Sequence, residues 1–235
     1  MENVNYWQHR IKGGNYALPL STPLLFNHHI LSIGWSDIND TSFLARLKGI
    51  KAWEEFESQL KETYRHLWTN RYSLWRYLKE MKAGDIVIVP TPHEFSIYRI
   101  MNDTIMTSEE LPKRMLVDWW NRPVKQEDGY LVDADGNQID LGYFRKVEPI
   151  VEHLGRDKCN KTLYKKMKAH QTNINLYGVK DSVEDVIRRY GDIDEEEYED
   201  DYYSPTSWEK DPYETDEEYQ DRMQNQEDFL EYFDE

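Results

Sequence analysis

Residues 68–100 read WTNRYSLWRYLKEMKAGDIVIVPTPHEFSIYRI, and this stretch limits the possible folds more than any other. Trp68, Tyr72 and Trp75 belong to a helical run that ends at Met81. Gly84-Asp85 supplies a turn, and two apolar strands follow at 85–89 and 95–101, joined around Pro90-Thr91-Pro92. A helix, a turn and a strand pair flanked by Trp and Arg suit a small barrel that presents an aromatic pocket. Aromatic faces paired with cations are what stacking onto an extruded nucleobase requires.

The remaining strand signals fix the class. Residues 5–10 read as a first strand and 30–35 as a short β-favouring run ending in Gly34-Trp35-Ser36-Asp37. Residues 130–132 and 138–143 flank a DADGN hairpin, and 144–151 continue as a strand. Trp53, Phe56, Leu60, Tyr64 and Leu67 recur at three- and four-residue steps, which predicts an amphipathic helix over 50–67. Shorter helices are expected at 42–48, 73–81, 158–170 and 183–190. Pro19 and Pro23 argue for loop or short helical turns before Ile30. Residues 116–120, LVDWW, read equally as strand or helix. These strands lack βαβ alternation, so the expectation is α+β, with a mixed or closed sheet and peripheral helices.

Charge divides the 235 residues in two. Residues 191–235 hold 20 acidic side chains against Lys210 and Arg222, a net −18. The whole chain is −16, so the first 190 residues sum to +2. A near-neutral body at 1–180 with an acidic C-terminal helix or tail at 181–235 is therefore expected. The tail carries nine aromatics, from Tyr198 to Phe233, which purely solvating segments lack. Thr215 and Glu218 read as a capping box ahead of a helix bearing Tyr219, Met223, Leu230 and Phe233.

A single cysteine, Cys159, excludes a disulfide framework and leaves no cysteine-based zinc site. No signal segment or 18-residue apolar run is read, so a cytoplasmic protein without membrane contact is expected. Catalysis is not expected. Glu80-Met81-Lys82 ends a helix, whereas a metal-dependent nuclease would carry E-x-K on a strand. Asp133-x-Asp135-x-Asn137 has its Gly at the wrong position for a calcium loop and reads as a hairpin turn. His28-His29 has no partner motif. No cofactor or metal is implied.

Binding residues are easier to nominate. Trp35 sits at a strand end between Gly34 and the polar pair Ser36-Asp37, where a pocket wall forms readily; core burial is the competing reading for it, for Trp68 and for Trp75. Ser36, Asp37, Asn70 and Arg71 are the polar groups nearest these aromatics, suited to a base edge or a phosphate. Asp37 serves equally well as a loop cap. From Arg145 to His170 the net charge is +5, and Arg145, Lys158, Lys161, Lys165 and Lys168 are the candidate phosphate contacts. An ordinary solvated helix gives the same lysine spacing.

The order of these features resembles the EVE branch of the PUA-like superfamily, as found N-terminal to Mrr-type nucleases in modification-dependent restriction. The matching letters are Trp7 with Arg10, Ile33-Gly34-Trp35, Trp68 and Arg71, Met81-Lys82 with Gly84-Asp85, the strand Gly142-Tyr143-Phe144-Arg145-Lys146-Val147, and the run from Leu163 to Asn173. They span about residues 5–176. The resemblance implies a PUA-like β-barrel whose pocket receives a flipped base, often a modified cytosine in DNA, with Trp35, Trp68 and Arg71 at the pocket. It departs from that pattern in lacking the nuclease domain and in its long 50–67 helix.

The resulting expectation is a reader of a modified or flipped base within a restriction or antiviral defence system. A separate nuclease or effector chain would act downstream, and the acidic tail would regulate binding or recruit a partner. The alternative is an interaction protein or DNA mimic that works through its acidic tail.

Overall fold

In the computed structural model the described residues are 4–11, 16–38, 41–47, 49–63, 71–169 and 171–191. Strands are β1 Tyr6–His9, β2 Ile30–Ile33, β3 Ile86–Pro90, β4 Glu94–Ile100, β5 Met106–Thr107, β6 Lys125–Glu127, β7 Tyr130–Val132, β8 Gln138–Ile139, β9 Tyr143–Gly155 and β10 Asn173–Asn175. Helices are α1 Leu18–His28, α2 Thr41–Leu47, α3 Trp53–Thr63, α4 Arg71–Trp75, α5 Lys161–Met167 and α6 Lys180–Tyr190. A π-helical turn, Arg76–Glu80, extends α4.

The main sheet runs β10-β1-β3-β4-β9-β2, with β5 also beside β9. It is antiparallel except for β1 against β3. The sheet curls into a half-barrel with helices around it, an α+β arrangement. The curl is visible in side chains that span it. His9 on β1 places Nε2 2.8 Å from the Ser32 carbonyl on β2, four strands away in the sheet order. Tyr77 closes the same gap, its hydroxyl donating to Leu31 O at 2.7 Å.

Long β9 makes the bend possible. Its first residues pair with β2 and its later ones with β4, where two register shifts interrupt the ladder. Bulges of this kind bend and twist a strand. His153, at φ 53°, lies in one of them.

Strand β3 is apolar throughout because both of its faces are covered. Val87 and Val89 enter a first core with Leu31, Phe56, Leu74 and Trp75. Ile86 and Ile88 enter a second, on which α5 and α6 pack through Leu163, Met167, Val183 and Val186. A third core joins α1 to the small β6-β7-β8 sheet through Leu20, Leu24, Leu131, Ile139 and Phe144.

Two sequence expectations change. Residues 18–28 are one helix despite Pro23. Pro23 has no N–H to give the Pro19 carbonyl, and Trp119 N–H fills that place at 2.9 Å. Residues 116–120 are neither strand nor helix but one arm and the tip of a narrow turn, bridged by Val117 and Pro123. Helix α6 starts at the expected boundary near 180, and its Val183 and Val186 are fully buried in the second core. The tail residues 192–235, including the capping box at Thr215, lie outside the described residues, as do 64–70 at the end of the expected 50–67 helix.

Candidate functional site

Strand β2 runs out into Gly34 and Trp35, and Trp35 holds φ at 73°. A side chain in the left-handed region costs about 1–2 kcal/mol, so neighbouring bonds must hold it there. Ser36 N–H and Oγ both donate to Asp140 Oδ1, at 2.9 and 3.1 Å. Gly142 N–H donates to the carbonyls of Ile33 and Gly34, and Ile38 N–H donates to Trp35 O. The Tyr143 hydroxyl, fully buried, donates to Ile38 O. Two loops, 34–38 and 139–142, are thus interlocked. The indole itself is half-buried, resting on the first core with the rest of its surface in solvent. Of the two residues that follow it, Ser36 is buried and Asp37 is exposed.

Trp75 does not join this site. It is buried against Phe56, ring centroids 5.2 Å apart, and its Nε1–H donates to Glu80 Oε1 at 2.7 Å. The Tyr72 hydroxyl donates to the same oxygen. Helical periodicity shared with α3 draws Trp75 inward, and the expectation of a pocket wall there is corrected. Glu80, the acid of the E-x-K pattern, is held by two aromatic donors. Trp68 and Asn70 lie outside the described residues, and the side chain of Arg71 is likewise not described.

Arg145 is also corrected. It is 1% exposed, and its guanidinium donates to the Tyr77 carbonyl through Nε at 3.1 Å and a terminal nitrogen at 2.8 Å. The π turn creates that acceptor. Met81 N–H reaches back to Arg76 O, leaving Tyr77 O without its helical partner. Burial pushes the Arg145 guanidinium below its usual value. A phosphate has no access to it.

The remaining cations are on the surface. Lys161, Lys165 and Lys168 share one side of α5, with Lys168 4.9 Å over the Tyr164 ring. Lys158 is exposed and paired with Asp157 at 3.5 Å. Helix α5 covers the second core, however, while Trp35 rests on the first. The lysines and Trp35 therefore lie on opposite faces of the sheet.

Several matched motif residues turn out to hold the frame. Asp85 is 2% exposed and accepts from Asn5 N–H, Trp7 Nε1–H and Lys82 N–H at 2.8–3.0 Å, tying β1 to the turn before β3. Arg10 donates to Met167 O and Ala169 O, capping the end of α5. Beneath them His9 is fully buried between Asn173 Oδ1 and Ser32 O, and burial lowers its pKa. Among the described residues no three His, Cys, Asp or Glu side chains converge as a metal-holding group. None of the described helices is long and apolar enough to cross a membrane.

Sequence reasoning missed one contributor to the Trp35 loop. Asp140, which locks Ser36, had no motif around it. Trp119 and Trp120 stay exposed on the 116–124 turn, where the Asp118-to-Pro123 spacing was the available signal.

No family model matches this chain, and no curated protein or solved structure matches it. The class that can be stated is an α+β half-barrel with peripheral helices.

Proposed function

We propose that this chain is a nucleic-acid-binding module that reads a modified or extruded base, with modified cytosine in DNA the first candidate. One observation carries the reading: Trp35, half-buried just past a strand end, is locked in a left-handed backbone conformation by two interlocking loops. Backbone strain held this firmly in a surface loop is characteristic of binding sites. A flat ring fixed at a barrel edge gives a base something to stack on, worth about 1–3 kcal/mol per base. Asp37, exposed next to it, offers acceptors for a base edge.

The EVE-like resemblance of the sequence supports the same reading. It also suggests a role in restriction or antiviral defence, with the effector on another chain. The opposite placement of the α5 lysines limits their part. One duplex seated at Trp35 reaches them only by wrapping the sheet edge, so they serve a second contact or none.

Titration of the full chain with short duplexes carrying cytosine, 5-methylcytosine or 5-hydroxymethylcytosine at low salt tests this reading. Preference for one modified duplex, lost in Trp35→Ala with folding intact, is the expected result. Equal binding of all three, or an unchanged preference in Trp35→Ala, overturns it.

The net charge of −18 in residues 191–235 favours a second reading, an interaction segment or DNA mimic. Truncation after Gly191 cuts beyond the last described element. Under the base-reading proposal that truncation raises DNA affinity, most at low salt. Loss of a protein partner with no change in DNA binding supports the alternative.

A further inference from the structure

Residues 116–124 form a narrow hairpin rooted in the third core through Leu116 and Val124. Val124 N–H donates to Leu116 O at 2.9 Å, and Asp118 N–H to Arg122 O at 3.0 Å. The tip consists of Trp119, Trp120 and Asn121, the last at φ 60°. Trp119 is 39% exposed and Trp120 51%, although Trp gains more from burial than almost any residue.

The tip is also rigid. Asp118, 4% exposed, accepts from Trp120 N–H, Arg122 N–H and Arg122 Nε at 2.8–2.9 Å. Trp119 N–H is fixed to Pro19 O on α1. The Arg122 guanidinium lies 4.7 Å over the Trp120 ring and also holds Asp135 at 2.7 Å. The two indoles meet edge to face at 5.1 Å. Aromatic rings held this way lose little freedom on binding.

The hairpin stands on the same scaffold as Trp35. Asp135, held by Arg122, lies three residues before Gln138, which donates to Ser36 Oγ. Three residues of chain span about 10 Å at most. Leu116 and Val124 pack with Ile139 and Leu141, the residues on either side of Asp140. At the hairpin base, exposed Lys113 and Arg114 form no ion pair among the described residues, and Lys125 is exposed beyond Pro123.

We propose that this hairpin is a wedge for duplex DNA. When a base leaves the stack for the Trp35 site, Trp120 enters the vacated space and Lys113 and Arg114 contact flanking phosphates. The inference rests on the base-reading function above. Nucleic acid fits better than a protein partner because protein hot spots sit within close-packed surroundings that exclude water. Here the neighbours are Asn121, Arg122 and Asp118, with cations at the base.

The test compares the full-length wild type with W120A, W120F, W35A and the double variant K113E/R114E. Each is titrated with a 5-methylcytosine duplex, with the same duplex unmodified, and with the modified strand alone. A single strand has no gap to fill, so W120A loses about 10-fold on the duplex and little on the single strand. W120F retains most of the duplex affinity, while W35A loses both substrates. K113E/R114E weakens duplex binding and flattens its salt dependence, with no need to alter the tip. Equal losses on duplex and strand in W120A, or none, overturn the wedge while leaving base reading intact. A wild type that ignores the modification overturns both.

Discussion

Gly142 and Trp35 approach so closely that a Cβ on Gly142 would stand 2.6 Å from the Trp35 carbonyl oxygen. Only glycine fits there, because that carbonyl also accepts from Ile38 N–H and has nowhere to retreat. The strained conformation of Trp35 thus depends on a residue more than a hundred positions away in the chain.

Gly142→Ala is therefore expected to destabilise the protein by about 1–3 kcal/mol, the usual range for forcing a methyl into packed structure. Urea unfolding followed by far-UV circular dichroism measures the loss. Modified-base preference should fall in the same variant below its unfolding midpoint.

Asp85 gathers four donors with almost no water around it. Asp85→Ala leaves Trp7 Nε1–H and two backbone N–H groups unpaired, and the expected cost is about 3 kcal/mol or more. An unfolding midpoint within error of wild type would remove Asp85 from its place as the tie between β1 and β3.

Arg145 separates stability from electrostatics. Arg145→Met removes both donors to Tyr77 O and is expected to cost about 2–4 kcal/mol. The salt dependence of any DNA binding should stay as in wild type, since a buried guanidinium releases no counterions from phosphate. A shallower slope of log K against log salt would show that Arg145 does reach the nucleic acid.

Two histidines give opposite pH slopes. Burial lowers His9 below its ordinary value of 6.5, so the unfolded chain binds the proton more readily. Its contribution to stability is complete above about pH 6.5 and declines as pH falls toward the folded value. His153 is raised, chiefly by its hydrogen bond to Glu94 at 2.8 Å. Its contribution is complete below about pH 6.5 and is lost as pH rises through the folded value; half exposure keeps it small. Unfolding midpoints of wild type, His9→Gln and His153→Gln from about pH 5 to 8 should show this. The difference between wild type and His9→Gln narrows on acidification, and that between wild type and His153→Gln narrows as pH rises. Parallel profiles would remove both histidines as the source.

Local pattern was enough for some elements. The IVIV run of β3, the DADGN hairpin and the helical spacing of Trp53, Phe56 and Leu60 each state their structure within a few residues, because period and turn chemistry are local properties. Pro23 misled for a definite reason. Its cost to α1 is cancelled by Trp119, a donor that folding alone brings near. The same applies to Trp75 and Trp119, identical side chains with opposite fates. One lies on the inward face of a helix and the other at the tip of a turn whose shape is set by Asp118.

The sequence by itself determined the α+β class, the charge division between body and tail, and Trp35 as a residue placed at a strand end. Only the tertiary structure decided that Trp35 is strained and locked, that Arg145 serves Tyr77 inside the half-barrel, and that the α5 lysines face away from Trp35. Propensity and periodicity act within a turn of chain. Burial, strain and the side of a sheet depend on partners such as Asp140, Gly142 and Tyr77, which only the curl of the sheet brings into contact.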